Sequence, residues 1–169
     1  MDPETRSREL RRALIRKGLA FDELRAALTR TVDLRPIELL AVQYLAYAGE
    51  LTPSALAGRL AVSSSACTAL VQRLDRARCV LRRQHPSDQR SVLLRLAPEI
   101  HDQLAERLTR LIEEIDAVAS ELTAEECETV TWFLNQVAAA SELQALAIRY
   151  EDGHATTIAP HPGWPRLWA

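Results

Sequence analysis

A chain of 169 residues with 47% apolar and 26% charged side chains is long enough for one domain with a sizeable core, or for two small lobes. No apolar run approaches the roughly 18 residues that cross a bilayer, and the opening MDPETRSRELRR is too charged for a secretory signal, so a cytoplasmic protein with no membrane partner is expected. Cys67, Cys79 and Cys127 have no CxxC spacing and read as reduced thiols, and His85, His101, His154 and His161 have no ligand spacing, so neither a metal site nor a cofactor is expected.

The net charge of −2 hides a strong asymmetry. From Ser63 to Arg95 seven arginines face two aspartates, a net +5; from Pro98 to Leu146 eleven acids face two arginines, a net −9. The local field decides where a polyanion docks, so the basic segment should face phosphates and the acidic one should point away.

Residues 1–5 are expected to fray. From about Arg6 to Arg30, Leu10, Leu14, Phe21, Leu24 and Leu28 recur at helical spacing, with Gly18 weakening the centre. Leu34 leads into a second helix with Pro36 in its first turn, an apolar stripe of Ile37, Leu40, Ala41, Tyr44, Leu45 and Ala48, and Gly49 as its stop. Thr52 caps a third helix with Pro53 at its first position, and Leu56, Ala57 and Leu60 face inward. Ser63 caps a fourth helix to about Ala77, with Ala66, Leu70, Val71 and Leu74 as its buried positions. Ser64, Ser65, Thr68, Ala69, Gln72 and Arg73 fall towards the other face.

Val80–Gln84 and Ser91–Leu96 alternate as strands, and Val92, Leu94 and Leu96 share a face. Turn residues Pro86, Ser87 and Asp88 lie between them. Pro98 starts a fifth helix whose seam of Leu104, Leu108, Leu111, Ile115, Val118 and Leu122 has heptad-type steps suited to helix pairing. Thr123 and Glu126 form a capping box for a sixth helix that carries Val130, Phe133, Leu134 and Val137 and runs to about Ile148. The Pro/Gly-rich tail places Trp164 and Trp168 where packing against the body or a partner subunit is expected. A short helix, a tight turn, a longer helix and a basic hairpin together describe a helix-turn-helix with a wing, which points to DNA.

Residues 34–96 resemble the MarR family of winged helix-turn-helix regulators. The resemblance rests on Leu56-Ala57-Gly58-Arg59-Leu60, on Leu74-Asp75 through Val80 and Arg82, and on Asp88-Gln89-Arg90 at the wing tip. Arg78 stands where that family usually has glycine, at a position that favours positive φ; Ala97 and Ile100 are further departures. The implied fold is mainly α: a three-helix core plus β-hairpin wing (34–97), with a dimerisation lobe from the N-terminal helix (1–33) and the C-terminal helices (98–148), followed by a tail (149–169).

The resemblance implies a homodimer on a near-palindromic site in double-stranded DNA, acting most often as a repressor and modulated by a small-molecule effector. Ser64, Ser65, Thr68 and Gln72 would meet base edges. Ser63 and the helix N-terminus would meet phosphate, as would Arg73. Arg90, oriented by Asp88, would enter the minor groove. Arg82 and Arg83 point to opposite sides of a strand, so one of them is expected to face DNA and the other to pair with an acid. Phe21, Tyr44 and Tyr47 are candidate effector-pocket residues. Two alternatives stand beside this reading: a winged-helix protein-interaction module without DNA binding, and a thiol-based redox sensor using Cys67 or Cys79. No G-x-S-x-G, HExxH or phosphate-cradling glycine loop points to an enzyme.

Overall fold

Four helices of this chain open on a proline in their first turn, where the missing N–H leaves no bond unmade. The computed structural model describes residues 2–88 and 91–151. The elements in order are α1 (Pro3–Thr31), α2 (Pro36–Ala48), β1 (Glu50–Leu51), α3 (Pro53–Leu60), α4 (Ser64–Arg76), β2 (Val80–Gln84), β3 (Val92–Leu96), α5 (Pro98–Ser120) and α6 (Ala124–Glu151). The chain divides into two units at Leu96 and Ala97. No single helix among the described residues is long and apolar enough to cross a membrane.

In the first unit, α1 begins at Pro3 rather than fraying through residue 5. The Asp2 carboxylate accepts from the backbone N–H groups of Glu4 and Thr5, which satisfies two of the orphan donors of the first turn. The core lies among α2, α3, α4 and the inner face of the sheet, with Leu39, Val42, Leu45, Leu56, Cys67, Leu74 and Leu94 fully buried. Two details differ from the periodic reading. On α2 the buried face is Glu38, Leu39, Ala41, Val42 and Leu45, because this helix is covered on more than one side and a single stripe does not describe it. On α4 the buried seam starts at Cys67, whereas Ala66 is exposed; the small thiol fits beneath the first turn of α3, where Sγ donates to the Pro53 carbonyl at 3.3 Å.

The sheet is antiparallel in the order β1-β3-β2. β1 is only two residues long, too short to leave a periodic trace in sequence, and it pairs Glu50 with Arg95 and Leu51 with Leu94. β2 and β3 pair from Val80 with Leu96 to Gln84 with Val92. Val80, Leu94 and Leu96 therefore share the core-facing side.

The second unit holds α5 and α6. The Glu126 carboxylate accepts from the Thr123 N–H at 2.8 Å, and the Glu126 N–H donates to the Thr123 hydroxyl at 3.3 Å, closing the expected capping box. Along the α5 seam Leu104 is buried, Leu108 and Leu111 are half-buried, and Ile115, Val118 and Leu122 are exposed. On α6 Phe133 and Val137 are half-buried, and Val130, Trp132 and Leu134 are exposed. Trp164 and Trp168 lie outside the described residues.

Candidate nucleic-acid interface

The chain bends by 108° between α3 and α4, within the range of a helix-turn-helix. Both helices end in a Schellman motif. After α3, the N–H of Val62 donates to Ala57 O and that of Ala61 to Gly58 O. After α4, the N–H of Cys79 donates to Leu74 O at 2.8 Å and that of Arg78 to Asp75 O at 2.9 Å. The motif needs a left-handed residue at its turn, usually glycine; here Ala61 and Arg78 both sit at φ 55°. A side chain in that conformation costs roughly 1–2 kcal/mol. The glycine-to-arginine departure at position 78 thus leaves the turn unchanged and adds strain to it.

The Ser63 hydroxyl accepts from the Ala66 N–H at 3.2 Å and caps α4. Beyond it, Ser64, Ser65, Thr68, Ala69 and Gln72 are all exposed, opposite the buried seam of Cys67, Leu70, Val71 and Leu74. The face is built of short polar groups already turned to local partners. Ser65 Oγ lies 3.1 Å from Ser63 Oγ, and the Thr68 hydroxyl donates to the Ser64 carbonyl at 2.9 Å. Hydroxyls rotate, so each can exchange its local partner for an external one.

The arginines sort differently from the sequence reading. Arg73 Nε donates to the Glu38 carboxylate at 2.6 Å, and Glu38, 6% exposed, is the buried charged residue among those described. Its other oxygen accepts from the Arg35 N–H at 2.9 Å, so one carboxylate joins the first turn of α2 to α4. Burial pushes that carboxyl up, but the Arg73 hydrogen bond, the Arg35 N–H and the two guanidinium charges outweigh it and hold it below the usual glutamate range. Arg73, expected on phosphate, braces α4 against α2 through its Nε. The periodic pattern missed Glu38 because a charge on a buried face breaks the amphipathic rule; its place three residues after Arg35, at a helix start, was the available signal.

Arg82 and Arg83 do lie on opposite sides of β2, as alternation requires, but both pair with acids. Arg82 Nε is 3.4 Å from Asp75 at the end of α4, and Arg83 grips both Glu50 oxygens, at 3.1 and 2.6 Å. The hairpin is fixed on one side to α4 and on the other to β1. At its tip the Ser91 N–H donates to the Asp88 carbonyl, and the His85 N–H to the Ser91 carbonyl, both at 3.0 Å. Arg90 lies outside the described residues.

Phe21, Tyr44 and Tyr47 are engaged separately. Lys17 Nζ stands 4.2 Å over the Phe21 ring, Arg59 stands 5.6 Å over half-buried Tyr44, and Tyr47 is 81% exposed. Cys67 and Cys79 are buried, and burial pushes both thiols up, away from the reactive thiolate. Among the described residues no group of three or more His, Cys, Asp or Glu is placed to hold a metal ion.

Residues 32–91 match the model of the MarR family. The chain is 29% identical over 112 residues to YcgE, an uncharacterised HTH-type transcriptional regulator of Bacillus subtilis (strain 168), covering 66% of this chain and 73% of that one. Its fold is similar to that of a mutant MepR from a multidrug-resistant S. aureus clinical isolate, with a TM-score of 0.59 and 20% identity over 79% of this chain and 96% of that one. It is also similar to NadR in complex with 4-hydroxyphenylacetate, with a TM-score of 0.55 and 24% identity over 75% and 89% of the two chains.

Proposed function

This chain belongs to the MarR family of DNA-binding transcriptional regulators, and from that premise we propose that it binds a near-palindromic operator as a homodimer, represses transcription there, and is released by a small-molecule effector. The observation that carries the reading is the exposed row Ser64, Ser65, Thr68 and Gln72, which starts at the N-terminal end of α4 and is held at 108° to α3 by a buried seam on the opposite side. The N-terminal residues of a recognition helix are the ones that reach base edges. Gln72 offers the bidentate amide that suits adenine, and the hydroxyls accept or donate to any base. Ser63 and the free N–H groups of the first turn suit a phosphate. The Arg90 wing tip, steadied by Asp88, is assigned to the minor groove, where a flat cation meets enhanced negative potential.

Two-fold symmetry places two copies of α4 about one helical turn apart on DNA, some 34–36 Å. Ile115 and Val118 on α5, Leu122 just after it, and Val130, Trp132 and Leu134 on α6 supply apolar surface for the second copy. An effector enters on the footing of NadR, whose crystal structure holds 4-hydroxyphenylacetate. Phe21, Tyr44 and Tyr47 are the aromatic residues assigned to it. An effector that favours a wing spacing unlike that of the operator lowers DNA affinity by population shift.

The test is binding to the DNA immediately upstream of the protein's own reading frame, across a salt series, against a shuffled competitor. A competition-resistant complex whose log affinity falls by roughly 0.9 per phosphate for each unit of log salt is expected. Gln72→Ala should relax preference at one base position, and Arg90→Ala should weaken binding without unfolding the protein. A complex erased by shuffled DNA would favour the protein-interaction module instead.

A further inference from the structure

We infer that the phosphate contacts at the far end of the recognition helix are made by Arg76 and Arg78, and that Arg73 is withheld from DNA by Glu38. The inference rests on the reading of α4 as the DNA-reading helix and assigns its backbone contacts to different residues.

The argument starts from the rotation of the helix. At about 100° per residue, Arg76 falls within about 20° of Ser65 and about 40° of Gln72, whereas Arg73 is turned about 80° from Ser65. Arg76 therefore continues the exposed row of Ser65, Ala69 and Gln72. Arg73 sits at its margin, where it meets Glu38 on α2 at 2.6 Å. The rise from Ser65 to Arg76 is about 16 Å, more than the roughly 12 Å width of the major groove. With Ser65 on base edges, the other end of the row lies at the sugar–phosphate wall.

The second observation is independent of that face. Arg78 closes the Schellman turn at φ 55°, a conformation in which glycine is the unstrained choice. A cation near a helix C-terminus gains from the dipole, but Arg73 and Arg76 already stand in the last turn, so dipole compensation alone does not explain a strained third arginine. Its side chain is exposed. Among the described residues neither Arg76 nor Arg78 has a carboxylate within ion-pair distance, whereas Arg73, Arg82 and Arg83 each do. A strained residue that presents an unpaired charge at the end of the reading helix is what a required phosphate contact leaves behind.

The experiment measures salt dependence on two probes, a mixed-sequence duplex of about three helical turns and the protein's own upstream DNA. Arg76→Ala and Arg78→Gly should each flatten the log–log slope by about one phosphate equivalent and weaken binding at fixed salt. Arg78→Lys should keep the slope. Arg78→Gly should also raise the melting temperature by about 2–6 °C, so stability and affinity move in opposite directions. The paired replacement Glu38→Gln with Arg73→Met removes both charges of the buried pair together and should leave the slope unchanged. A slope untouched by Arg76→Ala or by Arg78→Gly strikes that arginine from the contact, and a slope flattened by the Glu38/Arg73 replacement overturns the inference. If the wild-type protein forms no salt-sensitive complex with either duplex, the reading of α4 itself fails; retained wild-type binding with unmoved variant slopes sinks the arginine assignment alone.

Discussion

The three-helix lobe with its hairpin and the two C-terminal helices solve the burial problem in different ways. In the lobe, α2, α3, α4 and the sheet enclose their own leucines, with Leu39, Leu45, Leu56, Leu74 and Leu94 out of water. Along α5 the apolar seam becomes more exposed from buried Leu104 to Val118, which is 65% exposed, and on α6 Trp132 is 62% exposed. The first sequence is self-sufficient. The second has written into it an apolar surface that its own unit leaves open. That contrast separates residues whose loss unfolds the protein from residues whose loss changes what it assembles with.

Leu45→Ala removes a fully buried side chain and should cost about 2–5 kcal/mol in urea unfolding. Val118→Ala should cost under about 0.5 kcal/mol in the dissociated chain. If the two are equal, the contrast is wrong.

Placing charges on the exposed α5 seam with Ile115→Asp and Val118→Asp should weaken self-association by about 2–4 kcal/mol. Sedimentation should read this as a shift to monomer while the helical signal persists. An unchanged assembly would move the proposed interface elsewhere.

Glu38→Ala strands Arg73. Because Arg73 is 35% exposed, water screens part of the loss, and about 1–3 kcal/mol is expected rather than the full cost of breaking a buried pair. The folded-state pKa of Glu38 is depressed, so its stabilisation is present above the unfolded value of about 4.3. It is lost as pH falls through the lower folded value. The stability difference between wild type and Glu38→Gln should hold constant from neutral pH to about 5 and narrow below that. A difference that widens with acid would refute the pairing.

The smallest effect runs in the other direction. Ala61→Gly relieves the left-handed turn after α3 and should raise stability by about 0.5–1 kcal/mol in the same urea assay.

Much of the architecture was legible because its signals are local. Pro36, Pro53 and Pro98 marked helix starts, Thr52 and Ser63 their caps, Thr123 with Glu126 a capping box, and Gly49 a stop. At Arg78 the missing glycine pointed to a different helix end, yet the left-handed turn is kept. What the pattern missed depends on contacts between distant residues. Arg73 and Glu38 are separated by 35 positions and Arg83 and Glu50 by 33, and no periodicity announces which arginine will find which carboxylate. β1 owes its existence to β3, and Cys67 is buried rather than Ala66 because of where α3 begins. Composition counted the arginines of the basic segment correctly. Only tertiary pairing separates those that brace the fold from those left facing outward.

The two-residue strand β1 has an effect beyond holding Arg83. By occupying one side of β3 it makes the outer strands of the sheet β1 itself, only two residues long, and β2, which reads VLRRQ. An unpaired strand margin is a template on which a neighbouring chain can polymerise, and adjacent positive side chains discourage such stacking. In the proposed dimer, whose copies meet through α5 and α6, this steers self-association away from the wing.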